Sequence, residues 1–209
     1  VSRAQADGTY ARPDLVLANL GYNAGGWRTT MHPRFMADTS GDGRADIVGF
    51  GNAGVWVSRA RADGTFSAPR LVVENFAYNA GGWRTAMHPR FMADTTGDGR
   101  ADIVGFGNGG VWVSRGRSTG SFGTPRLVVA NFGYNAGGWR VDRHPRMMAD
   151  TTGDGRADIV GFGDGGVWIS RAQGNGTFSA PQLVVANFGY SAGGWRVDRH
   201  PRMMADTTG

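Results

Sequence analysis

The sequence predicts an all-β fold, a β-propeller of four-stranded antiparallel blades, and three observations carry that expectation. The first is an internal repeat. The stretch DTTGDGRADIVGFGNGGVWVS at 94–114 recurs as DTSGDGRADIVGFGNAGVWVS at 38–58 and as DTTGDGRADIVGFGDGGVWIS at 150–170, and a further copy opens at Asp206. Each recurrence falls 56 residues after the last, so the 209-residue chain is one supersecondary unit repeated about 3.7 times. The second is that each unit holds four short apolar runs separated by turn signals. That suits a propeller blade better than the shorter coils of a β-solenoid. The third is that apolar residues nowhere recur with the 3.6-residue period between caps that an amphipathic helix needs.

Within one unit the strands follow in order. The run 34–38 is a short first strand, A. A Gly-Asp-Gly turn at 41–43 leads into the apolar, β-branched run 45–51, strand B. Asn52, Ala53 and Gly54 form a tight turn, and 55–58 alternates large apolar with small residues as strand C. A second turn around 61–65 and Pro69 precede strand D at 71–76, and a glycine-rich linker, 77–87, runs to the next unit. Gly49 and Gly51 are expected to let inner strands crowd together, with Phe50 and Trp56 filling the space between blades. Up-and-down order puts the A–B and C–D loops on one face and the B–C turn and the linker on the other.

The organisation expected is a single array over 1–209: a partial blade at 1–31, repeats at 32–87, 88–143 and 144–199, and a partial blade at 200–209. Residues 1–3 and 15–20 are expected to be strands C and D of one blade, and 202–206 strand A of another. With no B strand between them, another chain is expected to complete the ring as a homo-oligomer, in the first place a head-to-tail dimer. The competing expectation is a piece of a longer array.

Composition narrows the function classes. There is no cysteine, so disulfides and thiolate metal sites are excluded. No apolar run approaches the ~20 residues of a membrane span, and no basic-then-apolar leader stands at the start. The chain reads as soluble, with secretion or a cell-surface role left open. All 22 basic residues are arginine and the net charge is +5. Because the arginines recur at fixed places in each unit, they are expected to be spread around the body, and no stripe favours nucleic acid.

Two segments carry chemistry. The loop 38–46 sets carboxylates at Asp38, Asp42 and Asp46 around a glycine, with Ser40 at the third position; the copies are Asp94, Thr96, Asp98 and Asp102, and Asp150, Thr152, Asp154 and Asp158. Alternate oxygen ligands around a sharp turn suit a hard cation, and calcium takes six to eight oxygens. A hydroxyl at the third position weakens such a site. The alternative is a metal-free turn in which the last aspartate caps backbone amides and Arg44 pairs with a carboxylate. In either case the loop is read as structural.

The linker concentrates aromatic, amide, imidazole and guanidinium groups among glycines. Its copies offer Tyr22, Asn23, Trp27, Arg28 and His32; Tyr78, Asn79, Trp83, Arg84 and His88; Tyr134, Asn135, Trp139, Arg140 and His144; and Tyr190, Ser191, Trp195, Arg196 and His200. Aromatic faces meet the C–H patches of sugars while the polar groups satisfy hydroxyls. The alternative is that tryptophan and tyrosine plug the gap between neighbouring blades and that arginine and histidine tie linker carbonyls. Asn52, Asn108 and Asp164, on the same face, are expected to contribute from the neighbouring blade.

The stretch DTTGDGRADIVGFGNGGVW resembles an FG-GAP or VCBS repeat of integrin-α-like propellers, and the longer pattern NFGYNAGGWRVDRHPRMMADTTGDGRADIVGFGDGGVWIS resembles the blades of the Psathyrella velutina lectin family. The resemblance spans every repeat. It implies a seven-bladed ring, calcium-like loops, and pockets between blades for N-acetylglucosamine or sialic-acid-capped glycans; fewer than four blades is a departure. A multivalent lectin is thus the expected function. A protein-binding or structural propeller without sugar binding is the alternative. An enzyme is not expected, because every candidate histidine or aspartate is repeated and none has the distinct partner that acid–base catalysis needs.

Overall fold

The computed structural model describes residues 1–207, which contain twelve β-strands and no helix. The first four are β1 (Arg34–Ala37), β2 (Asp46–Phe50), β3 (Val55–Ser58) and β4 (Arg70–Val73). The next repeat gives β5 (Arg90–Ala93), β6 (Asp102–Phe106), β7 (Val111–Ser114) and β8 (Arg126–Val129), and the third gives β9 (Arg146–Ala149), β10 (Asp158–Phe162), β11 (Val167–Ser170) and β12 (Gln182–Val185). Each set of four pairs antiparallel in sequence order to make one sheet. Strands β1, β5 and β9 of successive sheets lie beside one another, which makes the first strand of each blade the inner one.

Register explains which way the residues face. Arg34 pairs with Gly49, and Gly49 with Trp56. A bulge between Val55 and Trp56 lets β4 follow the twist of β3. The core lies between blades: Val48, Phe50, Val55 and Val57 of one sheet pack with Phe76, Trp83 and Ile103 from the linker and sheet that follow. Phe50, Phe106, Phe76 and Phe132 are fully buried. Burying each such ring contributes about 1.5–3 kcal/mol, so blade-to-blade packing is a main source of stability. Backbone bonds also join blades, with the Ala101 amide donating to the Asp38 carbonyl at 2.7 Å and Ala157 to Asp94 at 2.7 Å.

Three expectations need correction. The fourth strand ends at Val73, not at residue 76. Phe76 adopts a left-handed φ of 57°, which no strand continues through. Its amide is held by Asn75 Oδ1 at 2.6 Å, its carbonyl by Arg90 Nη1 at 2.9 Å. Residues 1–3, 15–20 and 202–206 form no strand; near the start there is one bridge, between Ala4 and Tyr10, with backbone bonds from the Ala11 amide to the Arg3 carbonyl (2.8 Å) and from the Asp14 amide to the Val1 carbonyl (2.9 Å). A blade needs its second strand as the common neighbour, and these segments have none among the described residues. Gly49 does not serve inner-strand crowding. A Cβ there would lie 2.7 Å from the Trp27 ring, so its bare backbone is the seat of that indole. No helix among the described residues is long and apolar enough to cross a membrane.

Candidate functional site

The linker is shaped before any ligand enters. Left-handed turns at Leu20, Phe76 and Phe132, each with a preceding asparagine side chain on its amide, reverse the chain at the end of one blade. Glycine pairs then carry positive φ, as at Gly81 (93°) and Gly82 (69°), a conformation that costs glycine little. The tryptophan that follows is buried on the strand of its own blade: Trp27, Trp83 and Trp139 are 6–8 % exposed. In two repeats its indole N–H is tied at 3.0 Å to that same asparagine, Asn75 or Asn131.

Arginine closes the linker on itself. Arg84 Nη1 donates to the Tyr78 carbonyl at 2.6 Å and to the Trp83 carbonyl at 3.1 Å, and its guanidinium sits 3.7 Å over the Tyr78 ring. Arg28, Arg140 and Arg196 repeat the arrangement on Tyr22, Tyr134 and Tyr190.

Histidine then meets the B–C turn. His32 Nδ1 accepts the Arg28 amide hydrogen at 3.0 Å, so the proton of the neutral ring must sit on Nε2. That nitrogen lies 2.9 Å from Asn52 Oδ1, which receives it. His88 repeats the pattern with the Arg84 amide at 3.1 Å and Asn108 at 2.9 Å, and His144 with the Arg140 amide at 3.2 Å and Asp164 at 3.0 Å. Burial holds His88 and His144 below the ordinary histidine value, which favours this neutral form.

Around this pair opens a cavity. In the first blade it measures ≈ 340 Å³ and is lined by Asn19, Trp27, His32, Asn52, Trp56 and Pro69 among others; in the third it measures ≈ 240 Å³ and is lined by Asn131, Trp139, His144, Asp164, Trp168 and Pro181 among others. The structure thus brings together the tryptophan, the histidine and the turn residue expected from sequence. Asn52 comes from the same repeat as His32, not from the neighbouring blade. The B–C turn returns to the linker end because β1 and β2 pair antiparallel directly after it.

What the neighbour supplies is the next linker. The Tyr78 amide donates to the Gly51 carbonyl at 3.1 Å and the Asn79 amide to the Asn52 carbonyl at 2.9 Å, while Tyr134 stands edge-on to His88 with ring centres 6.5 Å apart. Tyr190 and Ser191 do the same for Gly163 and Asp164. The tyrosine of a following linker, and the backbone of the residue after it, therefore reach the preceding turn. Among the described residues Tyr22 and Asn23 are exposed with no B–C turn before them, and Trp195, Arg196 and His200 have none after them.

Asn19 and Trp56, with their copies, line the cavity without having been singled out from sequence as ligand contacts. Their 56-residue recurrence was the available signal. At the other end of the strands, Arg59, Arg61 and Arg70 line one inter-blade groove and Arg115, Arg117 and Arg126 another. The two groups stand 56 residues apart, so these arginines recur blade by blade.

The acidic loops do not fit a calcium ion as folded. Asp38 Oδ1 accepts amides of Ser40 (3.0 Å) and Gly41 (2.8 Å), and Oδ2 accepts that of Gly43 (2.6 Å). Asp42 pairs with Arg44. Asp46 is buried elsewhere, bound by the Thr39 hydroxyl and amide and the Ala60 amide. The copies at Asp94, Asp98 and Asp102 and at Asp150, Asp154 and Asp158 are bonded alike, and Ser40, Thr96 and Thr152 turn their amides to the first aspartate. The three carboxylates of a loop point at different groups, and none is left to converge with another on one cation.

No protein-family model matches the chain, and no curated protein does. Among solved structures it superposes with a TM-score of 0.90 on an Agrocybe aegerita lectin described as specifically recognising non-reducing terminal N-acetylglucosamine, at 54% sequence identity over 93% of this chain. It spans about half, 49%, of that lectin's chain. At 20% and 19% identity it shares its fold alone with 7% of a chain in a TcdB2–TccC3–Cdc42 structure and 8% of a chain in the Photorhabdus luminescens Tc holotoxin pore, with TM-scores of 0.57 and 0.59.

Proposed function

This chain belongs to the same family as the Agrocybe aegerita lectin, and from that premise we propose that it is a multivalent carbohydrate-binding lectin for glycans ending in N-acetylglucosamine. The observation that carries the reading is the recurrence of a tryptophan edge, a neutral histidine and a side-chain amide or carboxylate around one cavity. Such a cavity offers a sugar an apolar wall and fixed hydrogen-bonding groups, the two things its rings present. Near-identical pockets on one rigid body raise avidity well above that of one site. Sialic-acid-capped glycans, which also carry an acetamido group, enter the proposal as further ligands of the Asn52 and Asn108 pockets.

A homo-oligomer is part of the same reading. Phe188 is 41% exposed where Phe76 and Phe132 are fully buried, and Val185 is 41% exposed where Val73 and Val129 are 8% and 7%. A blade of a second copy packed on this face would bury it as the other blades do, and a further blade of a longer array would do the same. Static light scattering tests that step; a monodisperse monomer that binds sugar refutes it.

A glycan array with competition by free N-acetylglucosamine tests the function. Binding to glycans with that terminus, abolished by the free sugar, is expected. A folded protein that binds no glycan on the array overturns the lectin reading in favour of a protein-binding or structural propeller.

A further inference from the structure

The histidine and turn-residue pairs of the three blades are not equivalent, and the difference lies at one atom. Because His32 and His88 hold their Nε2 protons toward Asn52 Oδ1 and Asn108 Oδ1, both asparagine amides are fixed with Nδ2 on the other side. Each of those pockets therefore presents a hydrogen-bond donor that cannot accept. In the third pocket the residue is Asp164. Its Oδ1 takes the His144 proton and also the Arg143 guanidinium, with Nε at 2.9 Å and Nη2 at 2.7 Å. Oδ2 receives no bond from the described residues, so at the corresponding place this pocket presents an acceptor that cannot donate.

Arg143 is the second half of the change. Where Asp164 replaces the asparagines, Arg143 replaces Met31 and Met87. It lies 3.8 Å over the Tyr190 ring, whose other guanidinium neighbour is Arg196 at 3.7 Å. This stacking and the contact at Oδ1 hold the cation against one oxygen and leave the other lobe of the carboxylate open. The carboxylate stays ionised at neutral pH, since bonds from His144 and Arg143 hold it below the usual range.

Resting on the sugar-pocket reading, we propose that Asp164 with Arg143 makes the third pocket a separate specificity class, selective for 2-amino sugars over their N-acetylated forms. A protonated 2-amino group donates to Oδ2 through a charge-assisted bond. An acetamide offers Oδ2 only a neutral N–H, a weaker donor than an ammonium, and a sialic acid carboxylate offers it no donor at all. The Asn52 and Asn108 pockets have the opposite preference, because their Nδ2 groups need an acceptor.

The test follows each pocket by its own indole N–H signal in 15N-labelled protein at pH 7, using Trp27, Trp83 and Trp139. Glucosamine, N-acetylglucosamine and N-acetylneuraminic acid are titrated separately. Glucosamine should saturate the Trp139 signal at about tenfold lower concentration than the other two. N-acetylglucosamine and N-acetylneuraminic acid should favour Trp27 and Trp83.

Asp164→Asn with Arg143→Met, which copies the first two pockets, should erase the difference. Asn108→Asp with Met87→Arg should move Trp83 into the amine-preferring class. If N-acetylglucosamine shifts all three signals alike and glucosamine shows no preference, or if the exchanged pairs change nothing, this proposal fails and the sugar-pocket reading stands. If no sugar moves any of the three signals, the sugar-pocket reading fails and this proposal with it.

Discussion

His88 Nε2 lies 2.9 Å from Asn108 Oδ1, and the bond is directional, because His88 Nδ1 is already occupied by the Arg84 amide at 3.1 Å. One backbone N–H four residues upstream thereby sets the tautomer of the ring. The ring in turn sets the orientation of an amide on the next hairpin turn. The Trp83 indole stands edge-on to the same ring, with centres 5.5 Å apart. A sugar entering this pocket finds polar groups that need no reorganisation, which lowers the cost of binding.

Removing one amide tests that arrangement. Asn108→Ala should leave the fold intact, since the side chain is exposed, and should weaken N-acetylglucosamine at that pocket by about tenfold, the loss of one bond of roughly 1.5 kcal/mol. Calorimetry on the wild type and the variant reads this as one fewer tight site per chain. Unchanged stoichiometry and affinity would place the sugar elsewhere.

The seat of the tryptophan makes a separate prediction about stability. A Cβ on Gly105 would lie 2.6 Å from the Trp83 ring. Gly105→Ala should therefore lower stability by about 1–3 kcal/mol, the usual range for overpacking, and Trp83→Ala by about 3–5 kcal/mol. The two changes together should cost less than their sum, because the alanine methyl occupies space the indole has left. Denaturant melts of the three variants measure the coupling, and strict additivity would mean the ring does not rest on Gly105.

Much of this was legible in the sequence, and the gaps have physical causes. Spacing, turn residues and the absence of a helical period were enough for the blade, because β-hairpins are written in local signals. The histidine and tryptophan of the linker, singled out because they sit among glycines, line the same cavity. The hidden part was side-chain direction. For Arg28 and Tyr22 the sequence left ligand contact and ties within the linker both open; in the fold they bond to one another and to the linker carbonyls. Asn52 read as a neighbour's contribution, yet hairpin geometry returns it to its own linker. For the acidic loop the sequence left a cation site and a metal-free turn both open; the capped amides and the Asp42–Arg44 pair are those of the second. Arg34, Arg90 and Arg146, which carry the left-handed turns by their carbonyls, gave no local signal.

Acid should weaken the fold in a defined window. Burial lowers His88 and His144 from 6.5, so at mildly acid pH the unfolded chain takes up protons that the folded chain refuses. Their contribution to stability is full above about pH 6.5, falls as pH drops toward their folded values, and falls no further once both states are protonated. The depressed carboxylates Asp38, Asp150 and Asp164 act only lower, near and below pH 4. Thermal melts should show a flat midpoint from pH 8 to 7 and a decline between pH 6.5 and 5. In the His88→Asn, His144→Asn double variant the midpoint should be lower at pH 8 but decline less. An equal decline in both proteins would assign the effect to other groups.

The acidic loops supply the last prediction, which separates a metal-free turn from a calcium site. Asp102 is fully buried, with Oδ1 accepting the Gly116 amide at 2.8 Å and Oδ2 accepting the Thr95 amide and hydroxyl. Every partner is a donor. Asn at this position would turn an N–H2 group toward one of them and leave that donor unpaired in the interior. Asp102→Asn should therefore cost about 3 kcal/mol or more, the penalty of breaking a buried charged bond set.

Asp98 instead pairs with Arg100 at the surface, and Asp98→Ala should cost no more than about 1 kcal/mol, as exposed ion pairs do. A calcium site would remove this difference, since both carboxylates would then be ligands whose loss releases the ion. It would also make the melting midpoint depend on chelator. The expected outcome is a large effect at Asp102, a small one at Asp98, and the same midpoint in EDTA and in millimolar calcium. A midpoint that rises with calcium, and a loss of that response in Asp98→Ala, would show that the loop rearranges to hold the cation and that the bonds described above belong to its metal-free form.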